Sequence, residues 1–418
     1  MMIRTVTSPG GIEAWLVEDY SVPMFAMRYA FEGGSSQDPV GKEGLANFVA
    51  LTLDKGAGDL ASIDYRRRIE GLALRMGFVP GMDAIIGSID ALSETRDAAA
   101  QLLKLTLNNP RFDADAVEAA RRLLVSFHAG KARMPASVAN AQWHQVAFAN
   151  HPYSRPIAGV EATTREITAA DLRAYCERTF ARDRLKIVAV GDITADELGK
   201  FLDEVFGDLP AKADLSPVSA ISPVLGGRLR VADMEVSQSA VVFGMGAVPY
   251  DDYRHVSAYV LNQIVGGHGM ASKLAKEVRI KRGLAFSAMT SLTPYRYASV
   301  FRGIVATRNE MADTTLDVIR TELQKLSEGG FSQADLENAQ AYLIGTYPLR
   351  FDAHTKIAAE LLHNSMSGFG PHFFESRKSL IADVRLRDLQ AFAGRMLNPE
   401  NLIVSIAGSP ALQPPRKM

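Results

Sequence analysis

DLRAYCERTFARDRLKIVAVGD (residues 171–192) is answered by DLQAFAGRMLNPENLIVSIAGS (residues 388–409), and this pairing decides how the chain is organised. Each stretch opens as an amphipathic helix, passes a polar turn and closes on a run of apolar residues ending in glycine. Asp, Leu, Ala, Arg, Leu and Gly recur in register, Tyr175 is matched by Phe392, and Gly191 and Gly408 each stand 20 residues after the opening Asp. The pattern is a helix feeding a buried strand, written twice.

A second pair, FDADAVEAARRLL from Phe112 and FSQADLENAQAYL from Phe331, lies at nearly the same offset (331 − 112 = 219 against 388 − 171 = 217). Two independent segments at one spacing imply a duplicated domain of roughly two hundred residues. Between the copies, LPAKADLSPVSAISPVLGG (residues 209–227) carries Pro, Ser and Gly without helical period and reads as a linker. The expected domains are therefore 1–208 and 228–418. Length agrees, since 418 residues exceed what one hydrophobic core usually encloses.

Strand and helix patterns come in blocks. Strands are expected at GIEAWLVED, MFAMRYAF and IIGSIDAL, and in the second copy at SAVVFGMGAV and YASVFRGIVAT. Helices are expected over Ser62–Met76, Ala136–Asn150, Asp313–Glu328 and Gln333–Thr346. Several helices in succession between strands favour an α+β fold over a doubly wound parallel sheet.

Bulk properties exclude more than they assign. Lys and Arg total 46 against 47 Asp and Glu, a net charge of −1, which argues against a nucleic-acid or anionic-membrane partner held by bulk electrostatics. No apolar run is long enough to span a membrane, and MMIRTVTSPGG has no apolar signal-peptide core. One cysteine, Cys176, permits no internal disulfide and reads as a packed helix residue.

KEGLANFVALTLDKGA (residues 42–57) reads as an amphipathic helix stopped by Gly56. A phosphate-loop reading of the glycine-rich turn before it fails, because VGKEG puts Glu43 where magnesium needs Ser or Thr. The stretch FEGGSSQDPVGKEGLANFVAL resembles the first motif of the pitrilysin/insulinase family of zinc peptidases, the inverzincins, in which such a turn leads into a helix bearing HxxEH. HPYSRPIAG from His151 and LNQIVGGHGMASKLAKEVRIKRGLAFS from Leu261 are similar to two further family signatures, so the resemblance covers nearly the whole chain. It implies two homologous domains, each a mainly antiparallel sheet packed with several helices, of the mitochondrial-processing-peptidase type.

Aligned on the family's motif, Asn47 stands at the first His, Ala50 at the Glu and Leu51 at the second His. The third ligand, a Glu on a later helix, falls at Phe127 by counting or at Ala120 by helix pattern, with Glu118 close by. Ala, Leu and Phe offer no lone pair and Asn is a poor zinc ligand. The eight histidines contain no i, i+4 pair, and His128 has no ligand partners nearby in sequence. No metal and no cofactor are assigned. The vacated positions are expected to be refilled as core.

In active relatives an Arg and a Tyr of the second domain reach the substrate. By resemblance, Arg279 keeps the Arg position and Phe286 replaces the Tyr, with Tyr295 and Tyr297 nearby. Loss of such a donor is often worth ~3 kcal/mol of oxyanion stabilisation. The resemblance thus implies a non-catalytic subunit that pairs with a zinc-bearing subunit, closes a chamber and helps hold an unfolded peptide as an added strand. The alternatives are a structural core-type subunit and a homodimeric peptide-binding protein. Exported bacterial relatives imply a periplasmic location, with the cytoplasm as the alternative.

Overall fold

Met24–Glu32 is the sequence MFAMRYAFE, apolar at almost every position, and it lies in the middle of a sheet covered on both faces. In the computed structural model, which describes residues 2–412, it is β3 of eleven strands. The others are β1 (Arg4–Thr7), β2 (Glu13–Glu18), β4 (Arg75–Pro80), β5 (Ala84–Leu92), β6 (Leu185–Gly191), β7 (Arg228–Asp233), β8 (Gln238–Gly246), β9 (Ala285–Pro294), β10 (Ser299–Arg308) and β11 (Ile403–Gly408).

The helices of the first half are α1 (Leu45–Thr52), α2 (Ser62–Gly71), α3 (Arg96–Asn108), α4 (Ala114–Ala132), α5 (Pro135–Ala147), α6 (Glu161–Glu166), α7 (Ala169–Thr179) and α8 (Ala195–Phe206). Those of the second half are α9 (His255–Gly266), α10 (Ala312–Ser327), α11 (Gln333–Gly345), α12 (His354–Met366), α13 (Phe373–Ala382) and α14 (Leu386–Met396).

One sheet runs β1-β2-β6-β3-β5-β4 and the other β7-β11-β8-β10-β9. Remove β1 and the two orders correspond strand for strand, each with one parallel pair, β2 with β6 and β7 with β11, and antiparallel pairs elsewhere. The α+β class and the duplication are both realised here. Corresponding residues even do the same work. Tyr29 lies opposite Gly87 and Phe243 opposite Gly303, and a Cβ on either glycine would sit 2.1 or 2.2 Å from the facing ring. Gly191 and Gly408 both end their strands at positive φ, 127° and 147°, a region that favours glycine.

Packing divides the described chain into two units, each assembled from three segments. The first takes residues up to His128, Pro156–Val218 and Pro348–Phe373. Its core lies between one face of the sheet and α1, α3, α4, α7 and α8. The opposite face is closed by α12, whose Ile357, Ala358, Leu361 and Leu362 pack on Val17, Ala30, Val188 and Val190. His354, the first residue of α12, bonds Asp19 at 3.1 Å.

The second unit takes Ala129–Arg155, Ser219–Tyr347 and the described residues from Phe374 on. Its main core lies between its sheet and α9, α10, α11 and α14. The other face is covered by α5, packed on β8 and β11. Fully buried Trp143 donates its indole N–H to Ile403 O at 3.1 Å, and Ser405 Oγ bonds Gln142 at 3.0 Å. Each sheet is thus closed by a helix from the other half of the sequence.

One expectation needs correction. The helix begun at Ser62 stops at Gly71, not Met76, and after Ala73, held at φ 48°, the chain turns into the strand β4. Gly77 and Pro80, residues that ordinarily demote a strand, hid it in the sequence. The interdomain stretch is stitched down: the Gln37 side-chain amide brackets Ser216 with bonds of 3.0 and 2.8 Å, and Ile221 N–H reaches Tyr297 O.

Candidate functional site

The turn that follows β3 positions α1. Ser35 and Ser36 donate backbone N–H groups to Gly81 O and Met82 O, fastening the turn to the loop between β4 and β5. Asp38, buried, then accepts from the Gly44 N–H at 2.8 Å and the Ala46 N–H at 2.9 Å. The helix N-cap is a glycine, so this carboxylate supplies the capping oxygen from six residues upstream, where the helix dipole favours negative charge. Such a cap is worth about 1 kcal/mol.

So fixed, α1 buries Leu45, Ala46, Phe48 and Val49 in the unit's core and packs beside β4. Ala50 is buried as well, but Asn47 and Leu51, one turn apart on the same strip, are only half-buried. The structure therefore brings the three motif positions together: Ala50 is buried and Leu51 packs against the core, while Asn47 keeps a polar group at the half-buried end of the strip. The Asn47 amide has no hydrogen-bond partner among the described residues.

The two alignments for the third ligand separate clearly. Ala120 is buried in the core it shares with Leu45 and Phe48, whereas Phe127 is 42% exposed. One residue past Ala120, Arg121 places its guanidinium 5.4 Å from the Phe48 ring centroid, a cation–π contact, and donates to Thr164 O, Arg165 O and Ile167 O at 2.5, 3.1 and 2.7 Å. Sequence reading missed Arg121. Its signal was present, because a cation one residue from the ligand register is unexpected where zinc would sit. His128 is engaged by Thr164 at 3.0 Å, and burial lowers its pKa. Among the described residues no three His, Cys, Asp or Glu side chains cluster in metal-binding geometry.

β4 matters more than any single side chain. It is the last strand of its sheet, paired only with β5 among the described residues, and Val79 on it is 61% exposed. On the inward side Met76 and Phe78 pack on the core. Tyr65 of α2 bonds Met76 Sδ and Thr106, and burial pushes its phenol up to about 12. An open strand edge thus runs beside the helix that carries Asn47, Ala50 and Leu51. Cys176 is buried, burial pushes its thiol well up, and it offers no nucleophile.

In the second unit Arg279 sits in a π-helical turn, Ala275–Ile280, and Phe286 at the start of β9. The two are brought together: the Arg279 guanidinium lies 4.7 Å from the Phe286 ring centroid, and that ring is 82% exposed. Tyr295 and Tyr297 are committed elsewhere, packed around Tyr153, whose hydroxyl accepts from the Tyr297 N–H at 3.0 Å.

The chain is similar to known proteins over most of its length. The sequence pattern described as the Peptidase M16 inactive domain matches residues 166–343. The chain is 23% identical to the "Non-peptidase homolog YmxG" of Helicobacter pylori, over 90% of this chain and 87% of that protein. It is 22% identical to the mitochondrial-processing peptidase subunit beta of Neurospora crassa, over 90% and 82%. Among solved structures, the peptidase M16 inactive domain from Pseudomonas fluorescens superposes with a TM-score of 0.92 at 23% identity, covering 99% of this chain and 100% of that one. The motifs, the duplicated sheets and these matches agree: the chain is similar to the pitrilysin/insulinase (M16) family of peptidases, residues 166–343 match that family's inactive domain, and the HxxEH motif is absent from its sequence.

Proposed function

We propose that this protein is a non-hydrolytic M16 subunit that holds an extended peptide on the open edge of β4 and works with a separate zinc-bearing subunit, the two closing a peptide-handling chamber. One observation carries the reading: α1 packs beside an unpaired strand edge yet presents Asn47, Ala50 and Leu51 where zinc chemistry needs two imidazoles and a carboxylate. Strand addition rests on main-chain hydrogen bonds and side-chain pockets and requires no metal. Pro80, lacking an N–H, limits the pairing to the residues before it. Arg279 and Phe286 are the second unit's candidates for contact with the same class of peptide. Support also comes from relatives named as a non-peptidase homologue and as one subunit of a processing peptidase.

The test is metal analysis and peptide cleavage by the protein alone, then after capture of its partner from the source organism. Alone, it should carry no stoichiometric zinc and cleave no unstructured peptide; with a zinc-bearing relative added, chelator-sensitive cleavage should appear. One tightly bound zinc per chain with chelator-sensitive hydrolysis by the isolated protein would sink the proposal. Capture of membrane-complex subunits instead would point to a structural role.

A further inference from the structure

The two sheets differ at one edge. In the first, β2 is covered by β1, which pairs with it antiparallel from Arg4↔Leu16 to Thr7↔Glu13. In the second, β7 holds the place of β2, and among the described residues no strand covers it. β7 pairs with β11 in parallel, an arrangement that uses the N–H and C=O of alternate residues and turns those of the intervening residues outward. Half of its main-chain groups therefore face the open side.

The side chains say what would fit there. Arg228, Leu229, Arg230 and Val231 are all exposed, Leu229 and Val231 at 43% each. Strand alternation puts the two arginines on one face and the two aliphatic residues on the other. Neither Arg228 nor Arg230 has an ion pair or side-chain hydrogen bond among the described residues. Charges on an edge strand commonly keep sheets from aggregating, but that device does not leave Leu and Val bare on the same strand. We propose that β7 accepts an added antiparallel strand from a partner protein, an extended segment that alternates acidic and apolar side chains.

Each acidic residue then lies across from Arg228 or Arg230, and each apolar one across from Leu229 or Val231, the pairings that stabilise neighbouring strands. A second copy of β7 fits poorly. Two-fold antiparallel pairing centred on Arg230 sets two guanidinium groups face to face, and centring on Val231 sets Leu229 against Asp233. The partner is a different chain with acidic alternation, and the contact is separate from the peptide edge at β4.

The experiment is hydrogen–deuterium exchange on the full chain with a ten-residue peptide alternating Glu and Val, and with its Lys–Val counterpart. The Glu peptide should slow exchange about tenfold across Arg228–Asp233 while the Lys peptide does not. Arg228→Glu combined with Arg230→Glu should reverse that preference. No protection of β7, or equal protection by both peptides, overturns the proposal. So does protection without peptide that disappears on dilution, which would identify a second copy as the occupant. Protection confined to Arg75–Pro80 also overturns it while leaving the β4 reading intact.

Discussion

His144 shows how a single buried side chain ties stability to pH. Its Nδ1 lies 3.2 Å from Tyr153 O, its Nε2 lies 2.9 Å from the Arg302 guanidinium, and Asn140 holds that same guanidinium. Burial first, then the Arg302 charge, pulls its pKa from 6.5 down to about 4. The folded state therefore keeps the ring neutral where the unfolded state binds a proton. Stability from this group is intact above pH 6.5 and is lost as the pH falls towards about 4, a span on the order of 3 kcal/mol. Urea denaturation across that window should show a falling midpoint in the parent and a flatter one in His144→Phe. Equal slopes would show that another group is responsible. The sequence could list the eight histidines but could not reveal this, because Arg302 stands 158 residues away. The residues at the motif positions were readable from the sequence, whereas the half-exposure of Asn47 and Leu51 depended on α1 being oriented by Asp38.

At the scale of elements, the strands with strict apolar patterning were legible and the edges were not. β3, β5 and β8 announce themselves because their residues must be buried. β4 and β7 carry Gly77, Pro80, Arg228 and Arg230, which read as turn or surface, and they became strands only through neighbours supplied by distant sequence. The reading of Ser62–Met76 as one helix failed for the same reason: Leu74 and Met76 continued an apolar pattern after the helix had ended at Gly71 and the backbone had turned at Ala73. Helix α5 was legible as a helix but not as the cover of a sheet whose first strand begins 81 residues after it (228 − 147). Its anchor is Trp143, fully buried and bonded to Ile403 O. Trp143→Ala should cost about 3–5 kcal/mol in the urea unfolding of the whole chain. A loss below 1 kcal/mol would show that α5 is a passenger on the sheet.

At the scale of the whole molecule, the repeats visible in sequence and the units that pack are different partitions. The duplication at 217 to 219 residues is legible because homologous strands need homologous residues; the crossing of α5 and α12 leaves no local trace. A fragment ending at residue 218 retains every strand of the first sheet but lacks α12, so Val17, Ala30, Val188 and Val190 lose their cover. It should bind a dye for exposed apolar surface and show no cooperative thermal transition. Addition of a synthetic peptide spanning residues 348–373 should restore one. Cooperative unfolding of the fragment alone would show that α12 is dispensable.

The crossing of those two helices also makes each repeat depend on the other. A protein made of a single repeat would own a sheet with one bare face and a helix with nothing to lie on. Two such chains would cure each other's defect by trading helices. In packing terms the chain is a swapped dimer of its own two repeats, carried on one backbone. Its connecting segment, bracketed by Gln37 and held at Tyr297, is the seam between them.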